Sequence, residues 1–196
     1  MDVTARALAV TATDRAGIER AAADDPDPGV RAFALAALVR EADVAVAAPA
    51  WRRAAEDADP RVRRRAAELA PRLGRRADAA TLRRLLVDSD PWVAEAAAFA
   101  SGEHPRPARR LIDELAAAAV GHADPIVREA AVAALGSIGD PGTLPAVLAA
   151  CDDRPAVRRR AVLALAAFDG PEVEARLTTA LADRDWQVRQ AAEDLR

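Results

Sequence analysis

Lysine, asparagine and tyrosine are missing from the 196 residues, and cysteine and methionine occur once each. All 28 basic residues are therefore arginine. A single cysteine, Cys151, allows neither an intrachain disulfide nor a cysteine metal cluster. It reads as a small apolar residue at a helix end. Aromatics make up only 3% of the chain, which argues against a sheet protein. No run of about 18 apolar residues exists, so no membrane span is expected. The segment after Asp2 has no long apolar core and does not read as a secretory signal. The expected setting is a soluble, cytoplasmic bacterial protein. Lacking both lysine and asparagine beside abundant alanine and arginine fits a GC-rich coding sequence. The net charge of −3 argues against a general nucleic-acid binder and leaves room for a local basic patch.

What is present is alanine, with leucine and valine, in a chain that is 52% hydrophobic. Alanine is the best helix former and lets helices pack closely, so the composition favours an all-α fold. The apolar residues recur in a repeat. DPDPGVRAFALAAL starts at Asp25, DADPRVRRRAAELA at Asp57, DSDPWVAEAAAFA at Asp88, HADPIVREAAVAAL at His122, DDRPAVRRRAVLAL at Asp152 and DRDWQVRQAAEDL at Asp183. The anchoring valines, Val30, Val62, Val93, Val127, Val157 and Val188, are 32, 31, 34, 30 and 31 residues apart. A fixed order at a steady period is the mark of a repeat architecture.

Each part of the order has a physical role. Asp27, Asp59, Asp90, Asp124 and Asp185 stand where a helix N-cap acceptor belongs. Pro28, Pro60, Pro91, Pro125 and Pro155 follow at the first helical position, where the missing N–H is harmless. The valine opens an apolar stripe, in the fourth repeat Val127, Ala131, Ala134 and Leu135, which is one helix face. These signals predict inner helices near 28–39, 60–73, 91–100, 125–138, 155–168 and 186–195. Second apolar segments, including 81–86, 144–148 and 173–177, lie between them, beyond turns such as Gly139–Gly142. Each unit is then a helix pair that buries its faces only by stacking on neighbours, giving an α-solenoid of about six repeats in one domain, 1–196.

The run D-P-x-V-R-x-x-A-x-x-A-L followed by G-D-P resembles the HEAT repeat, in the short form of phycobilisome-lyase-type proteins, from about Arg15 to Arg196. That resemblance implies that the V-R helix lines the concave face. It also implies a structural ladder between repeats made by Arg31, Arg63, Arg128, Arg158 and Arg189 with the preceding Asp27, Asp59, Asp90, Asp124 and Asp185. Two departures stand out. Ala94 replaces the ladder arginine of the third repeat, which is followed by the irregular stretch 101–107, so a kink or soft joint is expected there. Arg154 replaces the cap aspartate of the fifth, with Asp152 or Asp153 expected to serve instead. The segment from Val3 to Val10 reads as a degraded inner helix, and the charged end from Ala192 as a capping helix with one wet face.

No catalytic or phosphate-binding motif is present. His104 and His122 lie on separate repeats, which makes a poor metal case. No catalytic residue, cofactor or metal is expected. HEAT-like folds also include DNA glycosylases that use cationic residues, Trp and Asp, and bilin lyases. Trp51 is expected in an outer helix, and Trp92 and Trp186 at the edges of inner ones. The exposed inner positions should lie two, three and six residues after each valine. They offer Arg64, Arg65 and Glu68, then Glu95 and Phe99, then Glu129, then Arg159, Arg160 and Leu163. This broken pattern of charge with apolar points suits a protein or peptide partner on the concave face of a monomeric scaffold, with nucleic acid disfavoured.

Overall fold

Each aspartate–proline step starts a helix because the carboxylate and the imino acid together satisfy its first turn. The computed structural model describes residues 14–41, 44–103 and 110–196. Asp59 Oδ1 accepts from Arg61 N and Asp124 Oδ1 from Ile126 N, each at 2.9 Å. Asp27 does the same for Gly29 N at 2.8 Å, and Asp90 and Asp185 for Trp92 N and Gln187 N at 2.9 Å. The helices are α1 (Arg15–Asp24), α2 (Pro28–Glu41), α3 (Val44–Ala54), α4 (Pro60–Leu73), α5 (Ala79–Leu86), α6 (Pro91–Glu103), α7 (Ile112–Gly121), α8 (Pro125–Ile138), α9 (Leu144–Ala150), α10 (Pro155–Ala164), α11 (Pro171–Ala180) and α12 (Trp186–Glu193). Paired in order they make six two-helix repeats, an all-α solenoid with no strand among the described residues.

The chain divides into two compact units, Met1–Ala100 and Ser101–Arg196. In the first, α2 packs on α1, α3 and α4, and α4 on α3 and α5. In the second, α8 packs on α7, α9 and α10, and α10 on α9, α11 and α12. This is the stacking that a repeat needs, since neither helix of a pair can cover both its own faces. All six anchoring valines are buried, as are Ala34, Ala66, Ala97, Ala131, Ala161 and Ala192 four residues on.

Small residues set how closely the layers approach. A Cβ on Gly136 would fall 2.9 Å from Ala164 Cα, so glycine is required where α8 meets α10. Gly139 closes α8 in the left-handed region (φ 62°), its N–H donating to Leu135 O at 2.9 Å. Trp51 is fully buried in the core of the first unit, and its Nε1–H donates to Ala66 O at 2.7 Å. The α10 helix ends at Ala164 and continues as a single 3₁₀ turn, Leu165–Ala167. The segment from Val3 to Val10, His104 and positions 105–107 of the expected joint lie outside the described residues. No described helix is long and apolar enough to cross a membrane.

Candidate functional site

The valine is followed by an arginine whose guanidinium has one fixed job. Arg63 Nη1 donates to Asp57 O in its own loop at 2.8 Å, while Nε and Nη2 clasp Asp88 of the next loop at 2.7 and 2.8 Å. Arg31 does the same to Asp25 O and Asp57, Arg128 to His122 O and Asp153, and Arg158 to Asp153 O and Asp183. The planar fork of arginine matches a carboxylate in this two-point geometry, and lysine could not.

The acids of these rungs correct the sequence reading. They are Asp57, Asp88, Asp153 and Asp183, the first acid of the loop in three cases and the second, after Asp152, in the fifth repeat. Asp27, Asp59, Asp90, Asp124 and Asp185 are spent on capping their own helices. The first acid also closes the loop: Asp57 Oδ1 accepts from Asp59 N and Asp88 Oδ1 from Asp90 N, both at 2.9 Å. That bond turns the carboxylate toward the preceding repeat. Arg189 keeps the bond to its own loop, Nη1 to Asp183 O at 2.7 Å.

Two irregular repeats obey the same logic. Ala94 is buried at the arginine position of the third repeat, and His122 replaces the acid of the following loop. Its Nδ1 accepts from Asp124 N at 3.1 Å, so the ring keeps the turn-closing role without the charge. In the fifth repeat Asp153 moves one residue closer to the proline and serves the ladder, and Asp152 pairs with Arg176 at 2.7 Å. Neither caps α10, whose N-cap Arg154 makes no side-chain cap bond. Correcting the expectation, the ladder claims the one acid in reach.

Electrostatics follow from these bonds. Burial is the largest single influence on Asp57 and Asp88 and opposes their ionisation, but the hydrogen bond from Arg31 or Arg63, the turn N–H of Asp59 or Asp90 and the arginine charge together outweigh it and hold both carboxyls below the usual range. For Asp153 and Asp183 the bonds from Arg128 and Arg158 dominate, with the same result. Asp59 is lowered to about 2, chiefly by the Arg61 side chain. The buried Cys151 thiol is raised to about 11 by desolvation, which makes it a structural residue. It borders a cavity of about 370 Å³ in which Asp152–Arg176 and Asp183–Arg158 pair with one another. Among the described residues no group of three or more His, Cys, Asp or Glu side chains could hold a metal ion.

The expected interaction face is only partly exposed. Arg64, Arg65, Glu68, Phe99 and Leu163 are exposed, while Glu95, Glu129, Arg159 and Arg160 are half-buried. The position three residues after the valine departs from expectation wherever it is alanine: Ala96, Ala130 and Ala191 are buried. A short side chain there is covered by neighbouring helices, and a long one snorkels past them. The arginine pairs are not free charge. Glu68 bonds Arg64 at 3.0 Å and Arg65 at 2.9 Å, and Glu129 lies 3.5 Å from Arg160 and 3.9 Å from Arg159. Trp92 and Trp186 are 52% and 64% exposed, and the Arg64 guanidinium sits 5.5 Å from the Trp92 ring centre, a cation–π distance. The spacing gave no hint of this arginine–tryptophan contact.

Several known proteins share this fold. YibA of Escherichia coli superposes with a TM-score of 0.68 at 17% identity, over 98% of this chain and 73% of its own. In the complex of CpcE and CpcF of phycocyanin lyase from Nostoc sp., the match has a TM-score of 0.62 at 27% identity, over 89% of this chain and 73% of that one. A designed armadillo repeat protein in complex with the peptide (KR)4 matches at 0.61 and 16% identity, over 100% and 98% of the two chains. None of the curated proteins matches the sequence. The profile of the family described as HEAT repeats matches residues 16–102, 79–156 and 112–195. A chain of stacked helix pairs with four arginine–aspartate rungs among the described residues, matched by that profile over nearly its whole length, belongs to the HEAT-repeat family.

Proposed function

We propose that this HEAT-repeat protein is a non-catalytic scaffold, monomeric and cytoplasmic, that binds a protein or peptide partner along the V-R helices. The family resemblance implies that these helices form the concave face. The single observation that carries the reading is the division of labour among the arginines. Arg31, Arg63, Arg128 and Arg158 are committed to tight rungs, whereas Arg64 and Arg65 are exposed, with Arg64 on the Trp92 ring, and Arg159 and Arg160 are half-buried and only loosely held by Glu129, with Arg159 beside Leu163 and Trp186. Large apolar side chains left in water next to charged ones are the usual make-up of an interaction surface. Glu68, Glu95 and Glu129 interrupt the positive charge, which disfavours the continuous groove that a nucleic-acid backbone needs.

The test is photo-cross-linking of a captured partner with a diazirine reagent, which inserts into any neighbouring side chain and so needs no lysine. The tagged chain is used to recover proteins from a lysate of its source, and the complex is rebuilt from purified components and cross-linked. Cross-links concentrated on α4, α6, α8 and α10 are the expected result. A partner cross-linked instead to α5, α9 and α11 contradicts the assignment of the face.

The likeness to the phycocyanin lyase structure, at 27% identity, favours a second reading, a lyase-like protein handling a bilin. It requires that the purified chain bind a bilin, seen as a shifted pigment absorption band. No shift at saturating pigment removes it.

A further inference from the structure

Two neighbouring inner helices of the first unit expose opposite kinds of surface. Along α4 the exposed side chains are Arg61, Arg64, Arg65, Glu68 and Arg72, all of them charged. Along α6, over 91–100, the exposed side chains are Trp92 and Phe99 alone, 52% and 57% accessible. Among the described residues no other inner helix shows either pattern: α2 exposes Phe33 with Arg40 and Glu41, and α8 exposes only Ser137. The two rows meet where the Arg64 guanidinium lies 5.5 Å from the Trp92 ring centre. The Arg63–Asp88 rung ties α4 to the loop that starts α6.

The interval between the rings identifies the shape of what covers them. Trp92 and Phe99 are seven residues apart, two turns and about 10.5 Å along one line of α6. Between them lie half-buried Glu95 and buried Ala96, so the rings flank a low stretch. A helix laid along α6 repeats its own apolar positions every seven residues, at the same interval. Same-face residues of an extended strand recur at about 6.7 and 13 Å, so they meet one ring and miss the other. Charge sets the flank. The exposed row of α4 carries four arginines and one glutamate. Arg61 is clasped by Asp59 at 2.9 Å, and Glu68 is shared by Arg64 and Arg65 at 3.0 and 2.9 Å. With Asp59, Glu68 and half-buried Glu95 all set against it, the row keeps a net positive charge.

We propose that α4 and α6 dock an amphipathic helix of the partner protein, its apolar row on Trp92 and Phe99 and an acidic flank on Arg64 and Arg65. Its apolar side chains bracket the rings and enter the low stretch between them, as knobs enter holes between packed helices. Covering two rings that are more than half exposed supplies the affinity. The carboxylates supply direction: turned end for end, the same helix would carry its acidic flank away from α4. A polyanion without an apolar row would satisfy the arginines and leave Phe99 in water. This inference rests on the scaffold reading and gives it a chemical class of partner.

The experiment is isothermal titration with the synthetic peptide (LEALEAQ)3, a helix with leucines in one row and glutamates on one flank. The counter-probes are (LKALKAQ)3, with the flank reversed in charge, and (EL)6, which spaces its leucines for a strand. One equivalent of (LEALEAQ)3 is expected to bind, with affinity lower by at least about tenfold for either counter-probe. Trp92→Ala, Phe99→Ala, and Arg64→Glu with Arg65→Glu should each weaken it by at least about tenfold. Val87→Ala, at a 69% exposed apolar residue just past α5, should leave it unchanged. Both rings are exposed, so their variants keep the thermal unfolding midpoint. No binding of (LEALEAQ)3, equal binding of either counter-probe, or binding unchanged in Trp92→Ala with Phe99→Ala overturns the helix site. So does a lysate partner that binds that double variant as tightly as the wild type, although the scaffold reading then stands. Failure to capture any protein counts against the scaffold reading itself.

Discussion

Arg128 holds Asp153, 25 residues further on, through two parallel bonds, Nε at 2.6 Å and Nη2 at 2.8 Å, while its third nitrogen holds the His122 carbonyl at 2.7 Å. One side chain thus fixes its own loop and the next. Both partners are largely shielded, with 12% and 18% of the side chains exposed. Arg128→Met keeps the aliphatic stem but strands the Asp153 carboxylate and an inward-facing carbonyl. We expect a loss of about 3 kcal/mol, the lower end for breaking a buried pair, in chemical denaturation. Arg64→Met, at an exposed pair, should cost less than about 1 kcal/mol. Equal effects would mean that the ladder is no more than surface charge.

The ladder also sets the acid limit of the fold. Asp57, Asp88, Asp153 and Asp183 titrate lower when folded than an unfolded aspartate does. Their stabilisation is therefore complete above the unfolded value of about 3.9 and is lost as pH falls through the lower folded values. Denaturation midpoints should be level from pH 7 to about 5 and drop steeply below about 4. In Arg63→Met the drop should be shallower, since Asp88 no longer titrates low.

Close packing of α8 on α10 gives a prediction of opposite signs from one chemical change. Gly136→Ala places a methyl 2.9 Å from Ala164 Cα and should cost about 1–3 kcal/mol as overpacking. Gly121→Ala adds the same methyl at the end of α7, where nothing lies within 4 Å. It should stabilise by up to about 1 kcal/mol through reduced freedom of the unfolded chain. Thermal unfolding of the two variants side by side checks both.

The three tryptophans report separately on core and face. Trp51 is fully buried, and Trp92 and Trp186 are more than half exposed. Acrylamide should quench most of the native emission. The variant lacking both exposed rings should show a blue-shifted, protected band from Trp51 that moves to the red only on unfolding. An easily quenched band in that variant would contradict the buried position and the Ala66 bond.

The helix starts were written in the sequence because capping is local: an aspartate, a proline and a valine within four residues carry the whole signal. The ladder was harder to read. Asp57 and Asp59 are chemically identical and two residues apart; Asp57 closes the turn and meets Arg31, while Asp59 is taken up by its own helix start and by Arg61. Ala94 stands out in the sequence as a missing ladder arginine, and only the turn geometry shows His122 doing an aspartate's local work in the following loop. Exposure after the valine was misread where the side chain is alanine, because burial of so small a group depends on the neighbouring layer.

The central claim is that the outward arginines of the V-R helices, and not arginine in general, hold a partner. The direct measurement is the affinity of the captured partner for three variants with the same charge change. These are Arg64→Glu with Arg65→Glu, Arg159→Glu with Arg160→Glu, and, as control, Arg75→Glu with Arg76→Glu on the exposed 3₁₀ turn after α4. The account predicts binding weakened by at least about tenfold in one or both of the first two and unchanged in the third. Equal weakening in all three would show attraction to net charge alone and would contradict it.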